Sequence, residues 1–188
     1  MTTIADLVDD LVPEAPGCPA STVRDALRWA QRELCAEGNA WIVSDGPVVV
    51  GADTPFAEVE VPSGADALRI VSLLQGAREL KPGLDYRQTG SNGVEFLRAT
   101  PDSSTLLGSL ACKPARGRDM PAELLARWEE AIKDGARSRL LTLPYPWRDL
   151  RLSEHYRRKF LDAQADARSL AASGYQSGSV RMRTRSFA

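Results

Sequence analysis

Apolar positions follow three successive patterns along the chain. From Thr3 to Leu11, Ile4, Leu7, Val8 and Leu11 share one helical face, which predicts a short helix over about 3–11. The stretch PEAPGCP then breaks it through Pro13, Pro16, Gly17 and Pro19. A longer helix follows over about 19–37. Its stripe is Val23, Leu27, Ala30 and Leu34, Pro19 suits its first turn, Thr22 and Asp25 offer polar groups near its start, and Gly38-Asn39 ends it. The period then changes to two. In FAEVEV, Phe56, Glu58 and Glu60 point one way and Ala57, Val59 and Val61 the other. Short β-branched runs of this kind, separated by turn signals such as Asp45-Gly46-Pro47, Pro62-Ser63-Gly64 and Gly90-Ser91-Asn92-Gly93, predict a small antiparallel sheet or sandwich over about 41–114.

Helical spacing returns at Pro121. Leu124, Trp128, Ile132, Ala136, Leu140 and Leu143 form a stripe that predicts one helix over 121–143. Gly135 lies inside it, and a close helix crossing accounts for a residue with so poor a helix propensity. Glu129 and Lys133 stand at i,i+4. LPYPW stops the helix, Asp149 offers an N-cap, and a last helix over 150–172 presents Leu152, Tyr156, Phe160, Ala163, Ala167 and Leu170. The two helices and their short Pro-rich connection read as an αα-hairpin. The fold expected from these patterns is α+β: a helical bundle core, with the strand block as a small insertion packed to one side. It forms a single domain over 1–173, followed by an extended C-terminal arm over 174–188.

Composition adds bounds. The chain has 188 residues, 43% hydrophobic and 26% charged, with a net charge of −1. This is enough to bury a core without disulfides or metal, and the balance gives no sign of a bulk nucleic-acid binder. Charge is uneven along the chain. The first sixteen residues hold Asp6, Asp9, Asp10 and Glu14 and no base, while the last fifteen hold three arginines and no acid. Such asymmetry suggests ends that meet different neighbours. Cys18, Cys35 and Cys112 form no CxxC pair, and no run of eighteen apolar residues marks a membrane span. The acidic N-terminus MTTIADLVDD is unlike a signal peptide.

No catalytic constellation emerges. The single histidine, His155, lies among arginines on the last helix, and no GxSxG, P-loop or GxGxxG motif is present. Cys112 at a strand end and His155 are the only material for a hydrolase. Lys113–Asp119, KPARGRD, reads as a solvated basic loop, and Glu129, Glu130 and Asp134 as a wet helix face. No cofactor or metal is expected. Trp128 is expected in the core, and Trp41 between sheet and helix. Trp29, off the main stripe, is expected either on a wider core face or as an interface anchor.

The C-terminal arm is the candidate binding element. Ordering fifteen backbone residues costs roughly 15–30 kcal/mol at about 1–2 kcal/mol each. Three exposed arginine pairs supply at most about 1 kcal/mol each. Charge alone therefore does not order the arm. A groove or sheet edge that takes its main-chain hydrogen bonds does so, aided by Tyr175, Val180, Met182 and Phe187, while Arg181, Arg183 and Arg185 meet acids or phosphates.

These segments together resemble a family. GCPASTVRDALRWAQRELCAEGNAW, with Cys18, Pro19, Ala26, Leu27, Arg28, Ala30, Arg32, Glu33, Leu34, Cys35 and Trp41, is similar to the opening helix of head–tail connector, or adaptor, proteins of tailed bacteriophages. Leu34 stands where phenylalanine is common in that family. FAEVEVPSGADALRIVSLLQGARELKP and the hairpin PAELLARWEEAIKDGARSRLLTLPYPWRDLRLSEHYRRKFLDAQADAR resemble its later segments, as does the Arg-rich, Phe-ended tail. The resemblance implies a virion structural protein made in the host cytoplasm and built into the neck. It implies a ring, usually of twelve copies, that joins the portal protein to the next tail component. DNA would pass through the channel without sequence-specific binding, no membrane would be involved, and the arm, with Tyr175, Val180, Arg181, Met182, Arg183, Arg185 and Phe187, would dock on the portal. The competing readings are a small nucleic-acid-binding regulator using the arginine tail, and a hydrolase using Cys112 or His155.

Overall fold

A computed structural model describes residues 2–51, 55–97 and 106–173. Its element order is α1 (Ile4–Leu11), a 3-10 turn (Val12–Glu14), α2 (Ala20–Gly38), β1 (Ile42–Val50), β2 (Phe56–Val59), β3 (Ala65–Gln75), β4 (Arg78–Glu79), β5 (Tyr86–Gln88), β6 (Gly93–Phe96), β7 (Leu106–Pro114), α3 (Ala122–Arg127), α4 (Glu129–Leu140) and α5 (Leu150–Ala172).

The architecture is α+β, but the expected helical core with a small inserted sheet does not form. The strands make one seven-stranded antiparallel sheet in the order β4-β3-β7-β1-β2-β6-β5. Its inner face and the helices close a single core. Val48, Val59, Leu73, Val94 and Leu110 belong to the same buried cluster as Leu27, Leu34, Ile132 and Phe160. The correction has a plain physical origin. The alternating runs bury their apolar side, and that area is joined to the helical stripes rather than satisfied within the strand block.

Asp45-Gly46-Pro47, read as a turn signal, instead bends β1 in mid-strand. Asp45 has a positive φ of 56°, and the register slips between Val43 and Gly46. The first part of β1 pairs with β7, and Val48–Val50 pair with β2. The bulge thus passes one strand from one set of partners to another. Gly108 on β7 faces this bend. A Cβ there would lie 2.7 Å from both methyl carbons of Val59, so the absent side chain is the space that Val59 fills.

The helices show how the sequence places its faces. Thr3 and Asp6 form a reciprocal capping box on α1. The acidic N-terminal segment meets bases within the same chain. Asp10 pairs with Lys133 at 2.8 Å and Glu14 with Arg137 at 2.8 Å. Val23, Leu27, Ala30 and Leu34 of α2 are fully buried, and Asn39 caps the helix in the left-handed conformation. The helix expected over 121–143 is kinked at Trp128 (φ −107°, ψ 18°) into α3 and α4, and it ends at Leu140. Trp128 and Trp41 are buried as expected.

Gly135 marks the expected crossing. A Cβ there would meet the Ala30 Cβ at 2.9 Å and the Phe160 ring at 2.9 Å, so α2, α4 and α5 touch through it. This contact also sets the rotation of α5, whose N-cap is Asp149. The Ser153 hydroxyl donates to the Ser138 carbonyl at 2.7 Å, and the Ser138 hydroxyl to the Gly135 carbonyl at 2.8 Å. The buried face of α5 is therefore Ser153, Phe160, Gln164 and Ala167. Leu152 and Leu170, expected inside, are exposed at 41% and 39%.

Candidate functional site

All seven expected arm residues, Tyr175, Val180, Arg181, Met182, Arg183, Arg185 and Phe187, lie outside the described residues. What the structure supplies is a surface beside the point where that segment begins. Beside the Gly135 crossing, α2 and α5 flank an open groove of about 690 Å³, and they come together again at Gly38, where a Cβ would lie 3.0 Å from that of Ala167. The α2 wall is Trp29, Glu33 and Glu37, spaced one helical turn apart. The α5 wall includes Leu150, Arg157, Leu161 and Arg168, and the lining is completed by Arg139 of α4 and by Thr142, just past its end.

Packing holds these walls in place. Trp29 lies 6.1 Å from Phe160 between ring centroids, at a 43° tilt, and the Arg139 guanidinium carbon sits 4.9 Å from the Trp29 ring centroid. Trp29 is thus partly buried on the core and also forms the groove floor. At the other end, the Arg168 Nε–H donates to the Glu37 carbonyl at 2.7 Å, tying the last turns of α5 and α2 together. Glu33 is half-buried and Glu37 exposed. Among the described residues neither carboxylate has an ion-pair partner, in contrast to the acids of α4.

Those other acids are committed. Lys133 is buried and carries Asp10, Glu129 and Glu130. Burial opposes its charge, and the three carboxylates overcome that opposition and raise its pKa. Arg137 is held charged first by Glu14 and also by Asp134. The expected wet face of Glu129, Glu130 and Asp134 is thus part of an inter-helix ion-pair network.

The residues weighed for chemistry do not converge. Cys35 and Cys112 are fully buried and Cys18 nearly so. Burial pushes the Cys35 thiol up to about 12 and Cys112 up to about 11, so neither is a thiolate near neutral pH. His155 is exposed, in edge contact with Tyr156 at 5.4 Å. Among the described residues no cluster of histidine, cysteine and carboxylates has the form of a metal site. The Lys113–Asp119 loop is anchored. Asp119 pairs with Arg28 at 3.2 Å, and Arg32 donates to the Pro114 carbonyl, which leaves Arg116 and Arg118 exposed.

The sequence reading missed Glu33, Glu37, Leu150 and Leu161 as a group. A signal for half of it was present. Trp29, Glu33 and Glu37 recur every four residues beside the core stripe. Nothing in the sequence paired that row with the outer side of α5. The chain matches no family model, and no curated protein matches it.

Proposed function

We propose that the chain is a structural ring subunit of a tailed-bacteriophage neck, joining the portal protein to the next tail component around a DNA channel, with the C-terminal arm engaging the portal. The order and spacing of the Cys-Pro helix, the strand block, the Pro-Trp hairpin and the arginine tail support it. One structural observation carries it. The subunit exposes two different apolar surfaces on different elements. On the outer face of the sheet, Pro47 and Leu107 are cross-strand partners beside Val49, which is 65% exposed. On α5, Leu150 and Leu161 are 55% and 48% exposed. A head-to-tail ring uses two unlike patches on every copy, whereas a two-fold dimer uses one patch twice. No described helix is long and apolar enough to cross a membrane.

The test is a native mass measurement of the purified chain, with and without portal rings. Discrete large rings, and portal capture that fails when residues 174–188 are deleted, are the expected results. A chain that stays monomeric at micromolar concentration beside portal overturns the reading.

A further inference from the structure

The two exposed apolar surfaces carry opposite charge. On the outer face of the sheet Pro47 pairs with Leu107 and Val49 with Glu58, and Phe56, two residues before Glu58, lies on the same side. Glu60, two residues after Glu58, continues that row. Phe56, Glu58 and Glu60 are all exposed. Glu95, the cross-strand partner of Phe56, is held by Arg87. Glu58 and Glu60 have no ion-pair partner among the described residues. This surface is therefore apolar with two free carboxylates. The other surface is the start of α5 and the turn before it. Leu150 and Leu161 stand about three turns apart and share one side of the helix. Tyr145, in the turn, is exposed and stacks on Trp147 with ring centroids 4.7 Å apart. The acids here are occupied: Asp149 caps the Leu152 amide, and Glu154 pairs with Arg158. Arg148 and Arg151 are exposed and have no ion-pair partner among the described residues. The neighbouring groove, with Arg139, Arg157 and Arg168 beside Glu33 and Glu37, is mixed in sign and adds no preference.

We infer that these two surfaces meet each other between successive copies of the chain. The acidic, apolar face of the sheet in one subunit receives the basic, apolar start of α5 in the next, with Glu58 and Glu60 set against Arg148 and Arg151. Charge disfavours the alternatives. A two-fold contact from sheet to sheet gathers four unpaired carboxylates, and one from α5 to α5 gathers four arginines; like charges brought together at an interface repel. Joining one surface to the other neutralises both sets. It also leaves one free surface of each kind at the two ends, so the contact repeats head to tail. The inference rests on the ring reading for the closure of that repeat, while the choice of surfaces rests on their exposure and charge.

Charge exchange in the full-length chain tests this. One variant carries Glu58→Lys with Glu60→Lys, and the other carries Arg148→Glu with Arg151→Glu. All four side chains are exposed, so thermal melts of both variants are expected to match the unmodified chain. Sedimentation velocity reads self-association. Each variant alone sets like charges against each other at the contact, and its dissociation constant is expected to rise at least about tenfold. An equimolar mixture of the two is expected to recover assembly, because each surface of one variant then finds the opposite charge on the other. A single chain with all four substitutions is expected to recover it as well. Assembly of either variant alone at full strength, or no recovery in the mixture and the fourfold chain, would overturn the inference and leave the ring reading standing wherever the unmodified chain forms rings. Open chains that respond to the exchange as expected keep the contact and overturn ring closure. An unmodified chain that stays monomeric at micromolar concentration overturns both.

Discussion

The two sides of α2 differ by one rotation step along the same helix, and they do opposite work. On the inner side, Val23, Ala26, Leu27, Ala30, Leu34 and Cys35 are sealed against the sheet and α4, with small residues allowing the closest approach at Gly135. On the outer side, Trp29, Glu33 and Glu37 line a groove beside α5. Helix separation is set by the side chains at the contact. Alanine and glycine bring the helices together at Gly135 and again at Gly38, and the indole and two carboxylates stand beside these contacts along the groove. Phe160 belongs to both sides, since it fills the Gly135 crossing and supports Trp29.

That shared position gives the largest expected effect. Phe160→Ala is expected to cost about 3–5 kcal/mol, read as a lower denaturant midpoint, and to disturb the groove at the same time. A variant that keeps wild-type stability would show that the crossing is not the keystone described here. Next come the thiols of the sealed side. Folding raises the pKa of Cys35 and Cys112 above the unfolded value of 9.0. Their contribution is therefore complete below about pH 9 and is lost as pH rises toward their folded values. The stability slope is expected to reach about −1.4 kcal/mol per pH unit for each thiol. Cys112→Ala should flatten that slope, and at pH 8 a thiol reagent should label the native protein hardly at all and the unfolded protein at all three cysteines. Rapid native labelling of Cys112 would instead revive a nucleophilic role.

Gly135→Ala follows. Overpacking costs about 1–3 kcal/mol, partly offset by about 1 kcal/mol of improved helix propensity, so a net loss near 1 kcal/mol is expected in a thermal melt. A stabilised variant would mean that α2 and α5 give way easily at the crossing. The smallest stability effect belongs to the open side. Leu161→Lys is expected to change stability by less than about 0.5 kcal/mol, since the residue is already 48% exposed. The same change is expected to block ring assembly in the mass measurement, and intact rings from this variant would remove α5 from the proposed subunit contact.

Local signals in the sequence placed several details correctly, each for a reason confined to a few neighbouring residues. The α2 stripe, the Asn39 end cap, the Asp149 cap and the alternation of Phe56 through Val59 depend on periodicity or on a single side chain reaching nearby backbone. The close approach at Gly135 was legible too, because a glycine in mid-helix has few other reasons to be there. The α5 face was read a step off. Leucines at 152 and 170 fit the helical spacing, yet the serine–carbonyl bonds at Ser138 and Ser153 turned the helix away from them.

By itself, then, the sequence determined most of the helical and extended segments and the apolar side of α2 and of β2, because those depend on spacing and on capping within a turn or two. Tertiary structure alone decided that the strands form one seven-stranded sheet sharing its core with the helices. It alone decided that Asp45–Pro47 bends a strand rather than ending it, and that the rows of Trp29 and Leu161 face each other across a groove. Those outcomes depend on which apolar surfaces meet, and contacts between residues more than a hundred positions apart leave no period in the chain that makes them.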